Sequence, residues 1–200
     1  MPTTGRTSHG SVVGDVLGAV LTGGRSTRMG QDKALLVIDG EPMARRAGRV
    51  LAEAGATRVV AVGGDAGALR AVGMEVVADP HQGHGPLAGI AAALHAAADA
   101  DLVMILACDL VAATPGGVRT VIDALTGAIG TEVAVPVVDG RPEPLHTAWR
   151  PSAAAVVDDA LEAGELAVHP LFDRLAMVRV DGLDPAWFVN VNTPADLGHT

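Results

Sequence analysis

The stretch 16-VLGAVLTGGRSTRMGQDKALL-36 decides the fold. Six apolar residues, Val16–Leu21, end at Thr22 and a pair of glycines, Gly23 and Gly24. Arg25, Arg28 and Lys33 follow, so three of the chain's 14 Lys and Arg fall within this one loop. A continuous apolar run with β-branched residues marks a strand covered on both faces. Glycines without Cβ atoms let the backbone approach a ligand closely, and successive backbone N–H groups in such a turn can cradle an anion. Arginine adds a charge that can hold phosphate oxygens in a bidentate fashion. The two common phosphate loops are absent. Gly24 and Gly30 are too far apart for G-x-x-x-x-G-K-[ST], with Gln31 after the second glycine, and G-x-G-x-x-G does not occur. Read alone, the stretch is either an anion-binding loop at a strand end or a glycine-rich surface turn with solvated charges.

Working outward, apolar runs recur at Val59–Val62, Met74–Ala78, Leu102–Ala107 and Val133–Val138. Helix-like segments lie among them at Pro42–Glu53, Pro86–Ala98, Pro115–Leu125 and Pro151–Ala163, each with a proline near the first helical position, where its missing N–H costs nothing. Strands alternating with helices predict right-handed crossovers and an α/β fold with a mostly parallel sheet. The pattern turns irregular between Asp139 and Arg150, and Met177–Val180 is expected to add an edge strand.

The whole-chain numbers narrow the function. With 200 residues and 49% apolar content, a single folded domain is expected. Aromatic residues make up only 2% of the chain, so the core must be built from Ala, Val, Leu and Ile. A net charge of -9 argues against general nucleic-acid binding, which needs a broad basic surface. An acidic chain with one local basic cluster suits a small anionic ligand. The single cysteine, Cys108, excludes an internal disulfide and a cysteine-rich zinc site. No run reaches the roughly 18 apolar residues needed to span a membrane, and no signal-peptide core follows the polar start of the chain. Residues 1–14 read as a flexible tail, and the protein as cytoplasmic.

In open α/β sheets, ligands sit beyond the carboxyl ends of the strands. Four stretches lie there: Thr22–Lys33, Asp79–Gly89, Cys108–Asp109 and Asn190–Asp196. In the second, Gly85-Pro86 starts a helix next to Asp79, His81 and His84; the two histidines read as surface residues or as contacts to a substrate base. In the third, an apolar strand delivers the carboxylate of Asp109 to the sheet edge, where one acid and substrate phosphates can hold a hard cation. Cys108 reads as a small buried apolar residue, because no partner base is evident. In the fourth, Thr193 and Pro194 read as the start of a helix, leaving Asn190 and Asn192 without a capping role.

Together these stretches resemble the nucleotidyltransferase family that includes molybdenum cofactor guanylyltransferase. "LTGGRSTRMGQDKALL" is similar to that family's signature loop, with Thr22 where Ala is usual. "ADPHQGHGPLAGI" is similar to its second motif, "VMILACDL" to its metal-binding strand end, and "FVNVNTPADL" to its closing motif. The resemblance runs from Leu17 to Leu197. It implies a single Rossmann-like three-layer domain, 15–200, with a mostly parallel sheet of the nucleotide-diphospho-sugar transferase type.

The resemblance further implies transfer of GMP from GTP to the terminal phosphate of molybdopterin, with Mg²⁺ as cofactor. Leu21, Thr22, Gly23, Gly24, Lys33, Asp79 and Asp109 would bind the nucleotide, with Asp109 as the metal ligand. Arg28, Lys33 and Asp109 would be catalytic, and Arg28, Asn190 and Asn192 would face the acceptor. GTP and molybdopterin are the expected partners, without nucleic acid or membrane. A related transferase using CTP or a sugar phosphate, and a nucleotide-binding regulator without turnover, are the alternatives; the intact Lys33 and Asp109 argue against the regulator. Two further departures stand out. Gly63 and Gly64 occupy a place where many relatives carry Asn near the nucleotide, and Glu165 and Leu166 stand where relatives carry basic residues.

Overall fold

The structure is a computed structural model that describes residues 14–23, 32–81, 83–97 and 99–191. The expected tail, apart from Gly14, lies outside the described residues, as do Gly24, Arg28 and Asn192. The strands are β1 (Val16–Leu21), β2 (Val37–Ile38), β3 (Glu41–Pro42), β4 (Arg58–Val62), β5 (Glu75–Val77), β6 (Leu102–Ala107), β7 (Val133–Val138), β8 (Arg141–Pro142), β9 (His146–Trp149) and β10 (Met177–Val180). The α-helices are α1 (Met43–Glu53), α2 (Ala66–Ala71), α3 (Gly85–His95), α4 (Pro115–Gly127) and α5 (Ala154–Glu162).

The main sheet runs β10-β7-β9-β6-β1-β4-β5, with β8 paired to β7. Strands β5, β4, β1 and β6 are mutually parallel, and β10 is parallel to β7 at the other edge. All six residues of β1 and all six of β6 are buried. Their side chains alternate between two cores. Val16 and Val20 join Met104 and Leu106 on the face that packs α1 and α4, while Leu17 and Ala19 join Val103 and Ile105 on the face that packs α3 and α5. Covering on both faces is why these strands read as continuous apolar runs.

One region departs from the expected pattern. The irregular segment Asp139–Arg150 holds β8 and β9, and β9 lies inside the sheet, antiparallel to both β6 and β7. Its sequence, HTAW, has too few apolar residues in a row to announce a central strand, yet all four are buried. The chain reverses at Asp139 and Gly140, both at positive φ (49° and 77°), as a two-residue hairpin between β7 and β8 requires. Asp39 and Gly40 (51° and 80°) make the same turn between β2 and β3.

The sheet order positions the site. The chain leaves β1 for β4 and β5 on one side, then returns to place β6 on the other side. The carboxyl end of β1 is therefore a topological switch point, where a crevice opens between diverging connections.

Candidate active site

Strand β1 ends at Leu21, and Thr22 and Gly23 follow it. The Leu21 carbonyl accepts a hydrogen bond from the Cys108 N–H (3.2 Å), which locks the ends of β1 and β6 side by side. The next residue, Asp109, thus projects from the carboxyl edge beside the opening loop. Lys33 reaches it from a single 3-10 turn, Lys33–Leu35. Asp32 caps that turn by accepting from the Ala34 N–H at 3.1 Å. The Lys33 Nζ then lies 2.8 Å from Asp109 Oδ2, with the two side chains only 16% and 24% exposed. Partial removal from water strengthens this charge-assisted contact relative to a surface pair.

Three further ties assemble the neighbouring loops. The Val191 N–H donates to the Asp109 carbonyl (3.1 Å), so the C-terminal segment that carries the exposed Asn190 is fastened to the same residue as the ion pair. Asp32 Oδ2 accepts from the Asp65 N–H (3.2 Å), linking the Lys33 turn to the loop after β4. Asp79, after β5, accepts from the His81 N–H (2.8 Å) and so shapes its own turn. Along the sheet edge the order is therefore Asp79, Gly63, Thr22–Gly23, and Lys33–Asp109.

The structure brings Leu21, Thr22, Gly23, Lys33, Asp79 and Asp109 to one edge, with Asn190 tethered beside Asp109. Gly24, Arg28 and Asn192 lie outside the described residues. His81 and His84 are exposed, and His84 Nδ1 sits 3.0 Å from the His81 carbonyl. A cavity of about 350 Å³ between Pro80, His81, Ala92, His95 and Asp158 flanks this turn without including Gly23, Lys33 or Asp109. Glu165, at the position where the resemblance implies a basic residue, is paired with Arg174 at 2.9 Å. The start of α3 is covered by that same segment, because a Cβ on Gly85 would lie 2.8 Å from the Leu166 carbonyl oxygen. Sequence reasoning gave Asp32 no role, although it stands next to Lys33 in the quoted loop.

Cys108 is 7% exposed, and burial, reinforced by the Asp109 carboxylate, pushes its thiol up to about 12. It is an apolar packing residue with no thiolate to offer near neutral pH. Asp109 is the acid suited to a cation. One carboxylate oxygen receives Lys33, yet an ionised carboxylate offers about four lone-pair sites. Among the described residues no cluster of three or more His, Cys, Asp or Glu could enclose a metal. The donor set fits a hard cation that takes most of its ligands from phosphate oxygens and water.

Comparison with known proteins bears on the fold and the family. Residues 18–178 match the MobA-like NTP transferase domain. The chain is 36% identical over 191 residues to a probable molybdenum cofactor guanylyltransferase of Pelotomaculum thermopropionicum, covering 90% of this chain and 89% of the relative. A protein of Opitutus terrae with the same description is 39% identical over 190 residues, covering 90% and 91%. Among solved structures, molybdopterin-guanine dinucleotide biosynthesis protein A of Archaeoglobus fulgidus superposes with a TM-score of 0.71 at 26% identity, covering 91% of this chain and 95% of that one. With its doubly covered, mostly parallel sheet and its loops gathered at the β1 switch point, the chain belongs to the MobA-like NTP transferase domain family and is a nucleotidyltransferase.

Proposed function

We propose that this enzyme transfers GMP from GTP to the terminal phosphate of molybdopterin and releases pyrophosphate. The observation that carries the reading is the Lys33–Asp109 pair at the switch point, a cation and a metal-capable acid held 2.8 Å apart beside the carboxyl end of β1. The choice of GTP and of a molybdopterin acceptor rests on the relatives' descriptions and on Gly23–Gly24 in the loop.

The chemistry asks for no general base. A terminal phosphate carries a charge of about -1.5 to -2 near neutral pH and is already nucleophilic. One of its oxygens forms a bond to the α-phosphorus of GTP. The bond from that phosphorus to the bridging oxygen breaks, and pyrophosphate leaves with the electron pair. The obstacle is the approach of two polyanions, so catalysis reduces to positioning and charge stabilisation.

Lys33 would neutralise phosphate charge, with the Gly23–Gly24 backbone cradling the triphosphate. Arg28, from the loop between, would face the α-phosphate or the acceptor. The backbone of Leu21 and Thr22, together with Asp79, would hold the base and ribose. Asn190 and Asn192 would line the acceptor side. Asp109 would hold Mg²⁺, which would supply Lewis-acid charge to the phosphate groups. A protein with one buried thiol and no disulfide suits the reducing cytoplasm.

The test is pyrophosphate release from GTP, CTP and UTP, each with molybdopterin and Mg²⁺. GTP is expected to be preferred. Preference for CTP would overturn the guanylyl reading, and absence of turnover with every nucleotide would point to a regulator.

A further inference from the structure

Thr22 directly follows the apolar strand β1 and is only 6% exposed. Its Oγ1 lies 3.0 Å from the carbonyl oxygens of both Val62 and Gly63. A hydroxyl has a single proton to give. The Val62 carbonyl already accepts from the backbone N–H groups of Thr22 (3.1 Å) and Gly23 (3.3 Å), which occupies its two lone pairs. The Gly63 carbonyl receives no other donor among the described residues, and Gly63 is buried. The hydroxyl proton therefore belongs to Gly63, whose carbonyl would otherwise carry an uncompensated desolvation cost.

The peptide held in this way has an unusual shape. Gly63 and Gly64 are both at positive φ (76° and 72°), a conformation that L side chains rarely adopt. A Cβ on Gly63 would point between Gly23 (3.3 Å from its Cα) and Asp79 (3.7 Å from its Cβ). In the reading above, Gly23 belongs to the triphosphate cradle and Asp79 to the base and ribose side. A Cβ on Gly64 would lie 3.1 Å from the Thr22 Oγ1. The turn is fixed from two other sides, by the Gly63 N–H donating to the Val77 carbonyl (3.1 Å) and by the Asp65 N–H donating to Asp32. Thr22 and Gly63–Gly64, which stood out separately in the sequence, are one structural unit.

We propose that Thr22 is a positioning residue for the nucleotide: through the Gly63 carbonyl, its hydroxyl holds a side-chain-free turn at fixed spacing between Gly23, on the triphosphate side, and Asp79, on the base and ribose side. This rests on the nucleotidyl-transfer reading and deepens it. Thr22 touches no reacting atom, so its removal acts on nucleotide affinity before it acts on the chemical step.

The experiment is calorimetric titration of the full chain with GTP and Mg²⁺, paired with steady-state kinetics for both substrates. Thr22→Val keeps the side-chain shape and deletes the hydroxyl. It is expected to raise the Kd and KM for GTP about tenfold, with a smaller loss in kcat and no matching rise in the acceptor KM. Thr22→Ser, which restores the donor, should return to within about twofold of the parent protein.

Gly64→Ala crowds the hydroxyl from the other side. Its effect on GTP affinity should shrink when combined with Thr22→Val, as expected for residues acting as a unit. A Thr22→Val protein that binds GTP like the parent, or that loses acceptor affinity equally, overturns the proposal and leaves the enzyme reading standing. A parent protein that binds no nucleoside triphosphate overturns both.

Discussion

Two polar side chains are buried on opposite flanks of β6, the strand that delivers Asp109. On the β1 side, the Thr22 hydroxyl is placed against carbonyl oxygens at 3.0 Å. On the β9 side, His146 is fully buried, with no hydrogen-bond partner for either ring nitrogen among the described residues. It faces instead the ring of Phe188, with centroids 5.0 Å apart, just before the segment that carries Asn190. The flank proposed to meet the nucleotide thus has its buried polar side chain in directional bonds, whereas in the flank proposed to meet the acceptor the buried imidazole is packed without a partner among the described residues. Burial alone drives the His146 pKa down to about 4, so the ring stays neutral at ordinary pH. Both β1 and β9 pair with β6 through their backbones, so the difference lies in the buried side chains: a hydroxyl bonded to the carbonyls at the end of β4 on one side, a pH-sensitive imidazole in β9 on the other.

The largest effect is expected where the two flanks meet. Asp109→Asn removes the acid that holds both Lys33 and the proposed cation, and should lower Mg²⁺-dependent pyrophosphate release by at least about a hundredfold. The thermal midpoint should move by only a few degrees, since a partly exposed pair carries little of the stability. Full activity in this variant would refute the metal assignment. Lys33→Ala should cost about ten- to a hundredfold in kcat/KM for GTP, and unchanged kinetics would remove Lys33 from the phosphate site.

The β9 flank is broken by acid. An unfolded histidine titrates near 6.5, while His146 in the folded chain does so at about 4. Between those values the unfolded state binds a proton that the folded state refuses. Stability is therefore fully present above about pH 6.5 and declines as pH falls, by up to about 3 kcal/mol near pH 4 from this group. Urea unfolding at pH 7 and pH 4.5 measures it. His146→Leu should flatten the difference, and an equally steep fall in that variant would show that other groups cause it.

The smallest effect is expected at the far end of β4, where Arg58 pairs with Glu75 and both side chains are about half exposed. Arg58→Ala should change stability by less than about 1 kcal/mol and leave turnover unaltered. A larger loss would mean that the amino end of the sheet is coupled to the site.

Much of the fold was legible because doubly covered strands announce themselves. The apolar runs Val16–Leu21, Leu102–Ala107 and Val133–Val138 coincide with β1, β6 and β7, and Met177–Val180 is an edge strand as expected. Strand β9 was not legible, because its burial comes from His146 and Thr147 as well as from Ala148 and Trp149. Asp139-Gly140 and Asp39-Gly40 both make hairpin turns, which the pattern of apolar runs did not show. The six-residue α2 is too short to show a helical period, although Asp65 caps it through the Gly67 and Ala68 N–H groups.

At the site, Lys33 and Asp109 could be named from the strand ends and the resemblance. Their contact could not, because it depends on the Asp32-capped turn that aims Lys33 across 76 positions of sequence. The joining of Thr22 to Gly63 was equally hidden. Each looked like an isolated departure until the parallel register of β1 and β4 set Leu21 opposite Val62.

The central claim is that this site moves a nucleotidyl group. It is tested most directly by incubating the enzyme, molybdopterin and Mg²⁺ with GTP labelled at the α-phosphate and, separately, at the γ-phosphate. The account predicts the α-label in the acceptor product and the γ-label in pyrophosphate, in equal amounts. A γ-label in the acceptor product, or an α-label found only in free GMP, would contradict it.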